Sequence, residues 1–363
     1  MGNRFFLISW VLLLAVGSYG QTAKYSNEFL AIGVGARGLG MSGAVSASVA
    51  GAEAAYWNPA GLSLMKNERE LALMHSEYFA GIAKYDYGTF AARIDNTSVA
   101  SISMIRFGVD DIPDTSELID SEGNINYDKV KSFSAADYAF IFSYGRAAEE
   151  IDGLQYGGNV KIVRRKAGDF ASSWGFGADI GMRYETGEWI FGAMGRDITT
   201  TFNAWSYNLT DQMKEVFTIT GNEIPVSSVE ITTPRIILAT ARNFRFNPRL
   251  NLLAEINLDV TTDGKRNVPV KTKLFSIDPH MGLELNYNKF VFLRAGVGNI
   301  QQHKAISGGK ETTFQPNVGI GLNIKERLFI DYAFTDPGNN SLALYSHVFS
   351  LRLMFNKMKK NDS

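Results

Sequence analysis

Three glycines near the N-terminus, Gly33, Gly35 and Gly38, are spaced as G-x-G-x-x-G, and Glu53 follows where an acid would hold the ribose of a dinucleotide. The chemistry would be cofactor binding, with bare backbone approaching a pyrophosphate at a helix N-terminus. That fingerprint works only inside a βαβ unit. The chain downstream is instead a series of antiparallel strand patterns, so the sequence assigns no cofactor. His75, His280, His303 and His347 show no metal-ligand spacing. There is no G-x-S-x-G, and no Ser, His and acid form a recognisable constellation, so the chain reads as a non-enzyme. The absence of cysteine removes disulfides, thiolate metal sites and a thiol nucleophile. The acids Asp110, Asp111, Asp114, Glu117, Asp120, Glu122 and Asp128, opposed only by Lys129 and Lys131, could hold divalent cations that bridge lipopolysaccharide. A solvated acidic loop is the commoner reading of such a run, and no metal site is assigned. A formal charge of −1 gives no reason to expect a nucleic-acid partner.

With so little catalytic chemistry, the elements that would carry any site become the better guide. Arg4 precedes an apolar run from Phe5 to Val16, and Ser18 and Gly20 are small residues at the −3 and −1 positions of a cut before Gln21. This predicts a signal peptide over 1–20 and an exported protein. No later segment has the apolar length of a spanning helix, so a membrane-embedded chain would have to cross as strands.

From about residue 69 to 355 one pattern recurs. In 250–260, Leu250, Leu252, Ala254, Ile256, Leu258 and Val260 alternate with Asn251, Leu253, Glu255, Asn257 and Asp259. The same period of two runs through 174–184 and 314–324. These runs reach the roughly 9 to 11 residues that a tilted membrane strand needs, against about 5 to 6 for soluble strands. Trp174, Tyr184, Phe349 and Phe355 fall near strand ends, where interfacial aromatics belong. Strands are predicted at 69–79, 84–94, 97–107, 136–146, 153–166, 172–184, 187–196, 233–244, 248–260, 276–287, 290–300, 312–323, 326–335 and 345–355. That is an all-β transmembrane antiparallel barrel of about fourteen strands in outer-membrane lipid.

Connection length alternates with parity. Tight turns are expected at Asp95-Asn96, 147–152, Glu185-Thr186, 245–247, Asn288-Lys289 and Lys325. Long loops are expected at 108–135, 197–232, 261–275 and 301–311. Short turns belong in the periplasm and long loops outside, which leaves both chain ends periplasmic, with a tail at 356–363. The inward phase then carries Lys161, Asp179, Arg183, Glu255, Glu284, Arg294, Asp331 and Arg352. Mutual pairing that fills the lumen is the plain reading of them, and a selectivity or binding role is the other. On this phase Ile320→Arg is expected to harm the barrel, and Gly319→Arg to harm it less, provided the lumen has room.

Before the first strand, over 21–68, lies a Gly-rich stretch. It contains Gly35, Arg37, Gly38, Gly40, Met41 and Gly43, then Trp57, Asn58, Pro59, Ala60 and Gly61. Glycine can take positive φ and pack closely, and Pro59 fixes a turn that Asn58 can close. Trp57, Asn58 and Pro59 either terminate a plug and lead into the first strand, or contact a substrate or partner. The run from Gly35 to Leu62 resembles the N-terminal signature of the PorV/PorQ family of Bacteroidota, relatives of the FadL-type channels. The resemblance implies a plug, or hatch, inside a fourteen-stranded barrel, with Asn-Pro-Ala in the hatch. It implies two functions: a type IX secretion or surface-assembly barrel that binds a protein partner or cargo, or a FadL-like channel for a hydrophobic ligand. Inward charges and glycines favour the protein partner.

Overall fold

The computed structural model describes residues 26–115, 118, 124–304, 308–338, 341 and 344–357. The expected signal peptide, part of the acidic segment and the end of the tail lie outside them. The strands are β1 (Asn67–Tyr78), β2 (Ala83–Arg93), β3 (Ser98–Asp114), β4 (Lys131–Ala147), β5 (Leu154–Ala167), β6 (Ala171–Thr186) and β7 (Trp189–Arg196). Then come β8 (Thr201–Tyr207), β9 (Ser228–Thr232), β10 (Arg235–Asn247), β11 (Leu250–Thr261), β12 (Val270–Lys271) and β13 (Ser276–Tyr287). β14 (Val291–Lys304), β15 (Lys310–Ile324), β16 (Leu328–Thr335) and β17 (Ser346–Lys357) complete the chain.

All seventeen join one antiparallel sheet, and it closes because β17 pairs with β1 over Arg69↔Phe355 to Glu77↔His347. Three of them, β8, β9 and β12, are short pieces at one end, which leaves fourteen in the wall. Every strand predicted from alternation is present. The wall is two-faced as that alternation requires: Ile320, Trp174 and Ile256 point out and are exposed, while Glu255 and Asp179 point in and are buried. An apolar outer face with a polar inner one is what lipid outside and a filled lumen inside demand. No described helix is long and apolar enough to cross a membrane.

Several connections differ from the expected ones. β3 and β4 run on to Asp114 and back from Lys131, with a bulge at Val109/Ile112 where Asp111 takes a positive φ. The 108–135 loop therefore shrinks to 115–130. The 197–232 loop is a built arm, containing β8, a helix over Asp211–Ile219 capped by Thr210, and β9. β14 and β15 likewise extend into the expected 301–311 loop. The turn placed at Glu185-Thr186 lies at 187–188 instead, because Gly187 is the residue that can adopt the positive φ the turn needs. Asn288 and Lys289 both have positive φ and form the centre of a turn closed by the Phe290 N–H on the Tyr287 carbonyl at 3.0 Å, with Phe290 left between the paired Tyr287 and Val291.

Residues 26–66 fold inside the barrel as short helical turns, over Glu28–Leu30, Ala36–Gly40, Ala54–Trp57 and Pro59–Leu64. Nearly all of this plug is buried, and its apolar residues form the core together with inward residues of the wall such as Tyr85, Ile105 and Ile141.

Candidate functional site: the plug and the vestibule above it

The motif residues of the plug serve two surfaces, one within the plug and one against the wall. Trp57 donates its indole N–H to the Val34 carbonyl at 2.9 Å. Its ring lies over Gly33, Gly38 and Gly43, and a Cβ at Gly38 would stand 2.7 Å from the indole. The three glycines of the nucleotide-like fingerprint thus cradle an indole or, at Gly35, abut the Glu53 carboxylate. Gly35 also donates its N–H to the Met74 sulfur at 3.0 Å.

Asn58 is fully buried and acts as a junction. Its side-chain amide donates to the Ser46 carbonyl at 2.9 Å and to the Met182 carbonyl of β6 at 3.1 Å, and its oxygen accepts from the Ala60 N–H at 3.2 Å. Pro59 starts the following turn and rests on Gly145, Gly157 and Gly181, where any side chain would collide. Gly61 closes the turn, donating to the Asn58 carbonyl at 3.0 Å. Elsewhere the buried Met41 lies on Gly282 and Gly296, and Gly40 on Gly319. Wall glycines facing a backbone are a close-approach device.

The inward charges are consumed in the same task. Arg294 donates to Glu284 and to Asp331, both at 2.6 Å, and Arg37 of the plug joins them by donating to Glu284 at 2.9 Å. Glu255 accepts the plug N–H groups of Ala47 at 2.7 Å and Ser48 at 3.2 Å. Arg183 donates to the Ala47 carbonyl at 2.9 Å, and Arg352 to the Ala50 carbonyl at 3.4 Å. Lys161 bridges Asp179 at 2.7 Å and Asp197 at 2.5 Å, pinning the break between β7 and β8. Each of the eight charges named from the sequence therefore holds another wall charge or the plug backbone. Glu70, which accepts the Ala52 N–H at 3.0 Å, belongs with them: it has the same inward phase, although the strand pattern names only the other eight.

Between the plug and the long-loop end the lumen is not filled. A vestibule of about 740 Å³ remains there. Its floor is plug, with Leu39, Ser42, Gly43, Ser46 and Trp57. One wall, formed by β1 and β3, is aromatic: Tyr78, Phe79 and Phe107, with Tyr78 and Phe107 edge to face at 6.4 Å. The wall across the barrel, from β10 to β13, carries Arg235, Asn257, Asp259, Asp278 and His280. Arg196 sits at the margin, its guanidinium 4.3 Å above the Tyr56 ring and donating to the Tyr56 carbonyl at 3.0 Å. Alternation marks the strand residues among these only as inward, it does not mark Phe79, which follows β1 at φ 52°, and nothing local separates the inward residues here from those that touch the plug. Of the motif residues, Trp57 and Gly43 are the ones that reach the vestibule.

No protein-family model matches the chain, and no curated protein matches it. Solved structures do. The CymD monoaromatic hydrocarbon channel aligns with TM-score 0.57 and 14% identity over 90% of this chain and 98% of that one. The Pseudomonas putida toluene transporter TodX aligns with TM-score 0.57 and 15% identity over 89% and 98%. A Pseudomonas aeruginosa FadL homologue aligns with TM-score 0.53 and 13% identity over 90% and 98%. The chain thus has the fold of the FadL-like outer-membrane barrels.

Proposed function

We propose that this barrel is a channel that admits a small solute into the vestibule and releases it past the plug. The observation that carries this reading is the vestibule itself, a cavity of about 740 Å³ within the roughly 300 to 1,000 Å³ range of small-molecule sites. Neighbours of the same fold are described as a hydrocarbon channel and a toluene transporter, which supports passage of a solute over catalysis. In this reading residues 1–20 are removed on export, the long connections face outward, and the plug over 21–68 is the gate. The motif residues, from Gly35 to Gly61, hold the gate shut, and the luminal charges latch it. The chain acts without a cofactor and catalyses no reaction.

A second reading, a barrel of the PorV/PorQ type that binds a protein partner in secretion or surface assembly, is favoured by the loop end. Ile219, Val226 and Leu274 stand there more than 70% exposed, apolar surface that a protein partner could cover. A deletion strain separates the two readings. Loss of growth or uptake on particular solutes, with the secreted proteins unchanged, is the outcome for a channel. Loss of surface proteins with solute uptake intact would overturn it in favour of the partner-binding barrel.

A further inference from the structure

The chemistry of the vestibule is unlike that of a hydrocarbon site. Four guanidiniums, of Arg165, Arg196, Arg235 and Arg266, stand against four carboxylates, of Glu28, Asp137, Asp259 and Asp278, so the formal charge of the lining sums to zero. Most of these charges are held by neighbours: Arg165 donates to Asp137 at 2.9 Å, Arg235 lies 3.5 Å from Asp259, and Arg266 donates to Asp263 at 2.7 Å. A charged solute therefore finds no excess of opposite charge. An apolar one would strip water from charged and amide groups without replacing its hydrogen bonds, which is costly.

Between those walls the fold makes a local detour. β14 and β15 pair as Gly298↔Gln315 and then as Gln301↔Thr313, so β14 carries one extra residue, and Asn299 sits at φ 48°. The extra residue reverses the phase of the strand and turns Asn299 and Gln301 into the lumen, where an unbroken strand would aim Gln301 at lipid. There they form an amide chain, Gln301 donating to Asn299 at 2.7 Å and Asn299 to Gln315 at 3.2 Å. Asn257 and Asp278 add buried side-chain oxygens that have no hydrogen-bond partner among the described residues.

From this we infer that the vestibule takes a neutral, hydroxyl-rich ligand of the short oligosaccharide class. A sugar offers hydroxyls that donate to the carboxylates and amide oxygens and accept from the guanidiniums and amide N–H groups. Its flat C–H faces pack on Phe107 and Tyr78.

The inference rests on the solute-channel reading, and the test keeps the two apart. The purified full-length barrel in detergent is titrated by calorimetry with maltotriose, cellotriose, raffinose and, separately, toluene. The expected result is saturable binding of at least one trisaccharide, more than tenfold tighter than toluene. Asn299→Gly, which retains the positive φ, and Gln301→Ala should each weaken it at least tenfold while the protein still runs as a folded, heat-modifiable barrel. Saturable binding of toluene with none of the three trisaccharides would overturn the inference and leave the channel standing. Binding of none of the four would overturn the inference and the solute-channel reading together.

Discussion

The two halves of the lumen are lined by the same strands and use their inward positions in opposite ways. In the half with the short turns, glycines at 145, 157, 181, 282 and 296 bring the wall onto the plug backbone, and Glu255, Glu284 and Arg183 hold that plug. In the half with the long connections, inward residues are large or polar, pair with one another along the wall and surround open space. One alternation pattern thus supports a sealed core and a vestibule, and the side chains at the inward sites decide which. Glycine opposite backbone means sealing. Aromatic opposite charged or amide means a cavity.

The comparison breaks most sharply at Gly319. A Cβ at Gly319 would already stand 3.2 Å from the Tyr332 carbonyl oxygen, 3.4 Å from the Gly40 Cα and 3.5 Å from the Arg294 Cβ, so a side chain longer than a methyl group has no room between β15 and the plug. Gly319→Arg should therefore cost more than Ile320→Arg, the reverse of the order that an open lumen would give. It combines overpacking with a buried charge, two of the mechanisms behind the largest measured effects. Ile320, 44% exposed on the outer face, should cost about 2 to 4 kcal/mol when changed to Arg near mid-bilayer. Urea unfolding of both variants in lipid vesicles measures the order, and a smaller cost at Gly319 would mean that the plug does not rest on β15.

The smallest effect concerns the turn ends. Asp95 accepts hydrogen bonds from the hydroxyl of Ser98 at 2.5 Å and from the N–H groups of Thr97 and Ser98 at 2.8 Å. The Ser98 hydroxyl and the Thr97 N–H hold its carboxyl well below the usual carboxylate range. A carboxyl depressed in the folded state contributes stability that is present above its unfolded pKa and is lost as pH falls through the folded one. Asp95→Asn should therefore be slightly less stable than the parent at neutral pH, with the difference shrinking under acid. A difference that grows as pH falls would contradict the turn geometry.

Why the wall was legible and the site was not follows from the range of the interactions. Leu250 to Val260 announces a strand, its phase and its lipid face within eleven residues, because one face must meet lipid and the other must not. The plug's position depends on pairs such as Asn58 with Met182, 124 residues apart, and no local pattern encodes them. The Asn299 bulge was hidden because it reverses the phase inside a run that still reads as strand. The helix at Asp211–Ile219 does carry a local sign, the Thr210 cap that accepts the Met213 N–H at 3.2 Å, but it lies in a stretch whose length and lack of alternation read as a loop. The Gly35 to Leu62 run was legible as a plug motif, although its role as the floor of a vestibule required the wall around it.

The central claim is that the plug seals the lumen beneath the vestibule, and ion conductance in a planar lipid bilayer tests it most directly. The wild-type barrel should show no steady current. The double variant Glu255→Ala, Asn58→Ala, which releases the plug from β11 and β6, should show discrete open events. A steady current through the wild-type protein, equal to that of the double variant, would contradict the account.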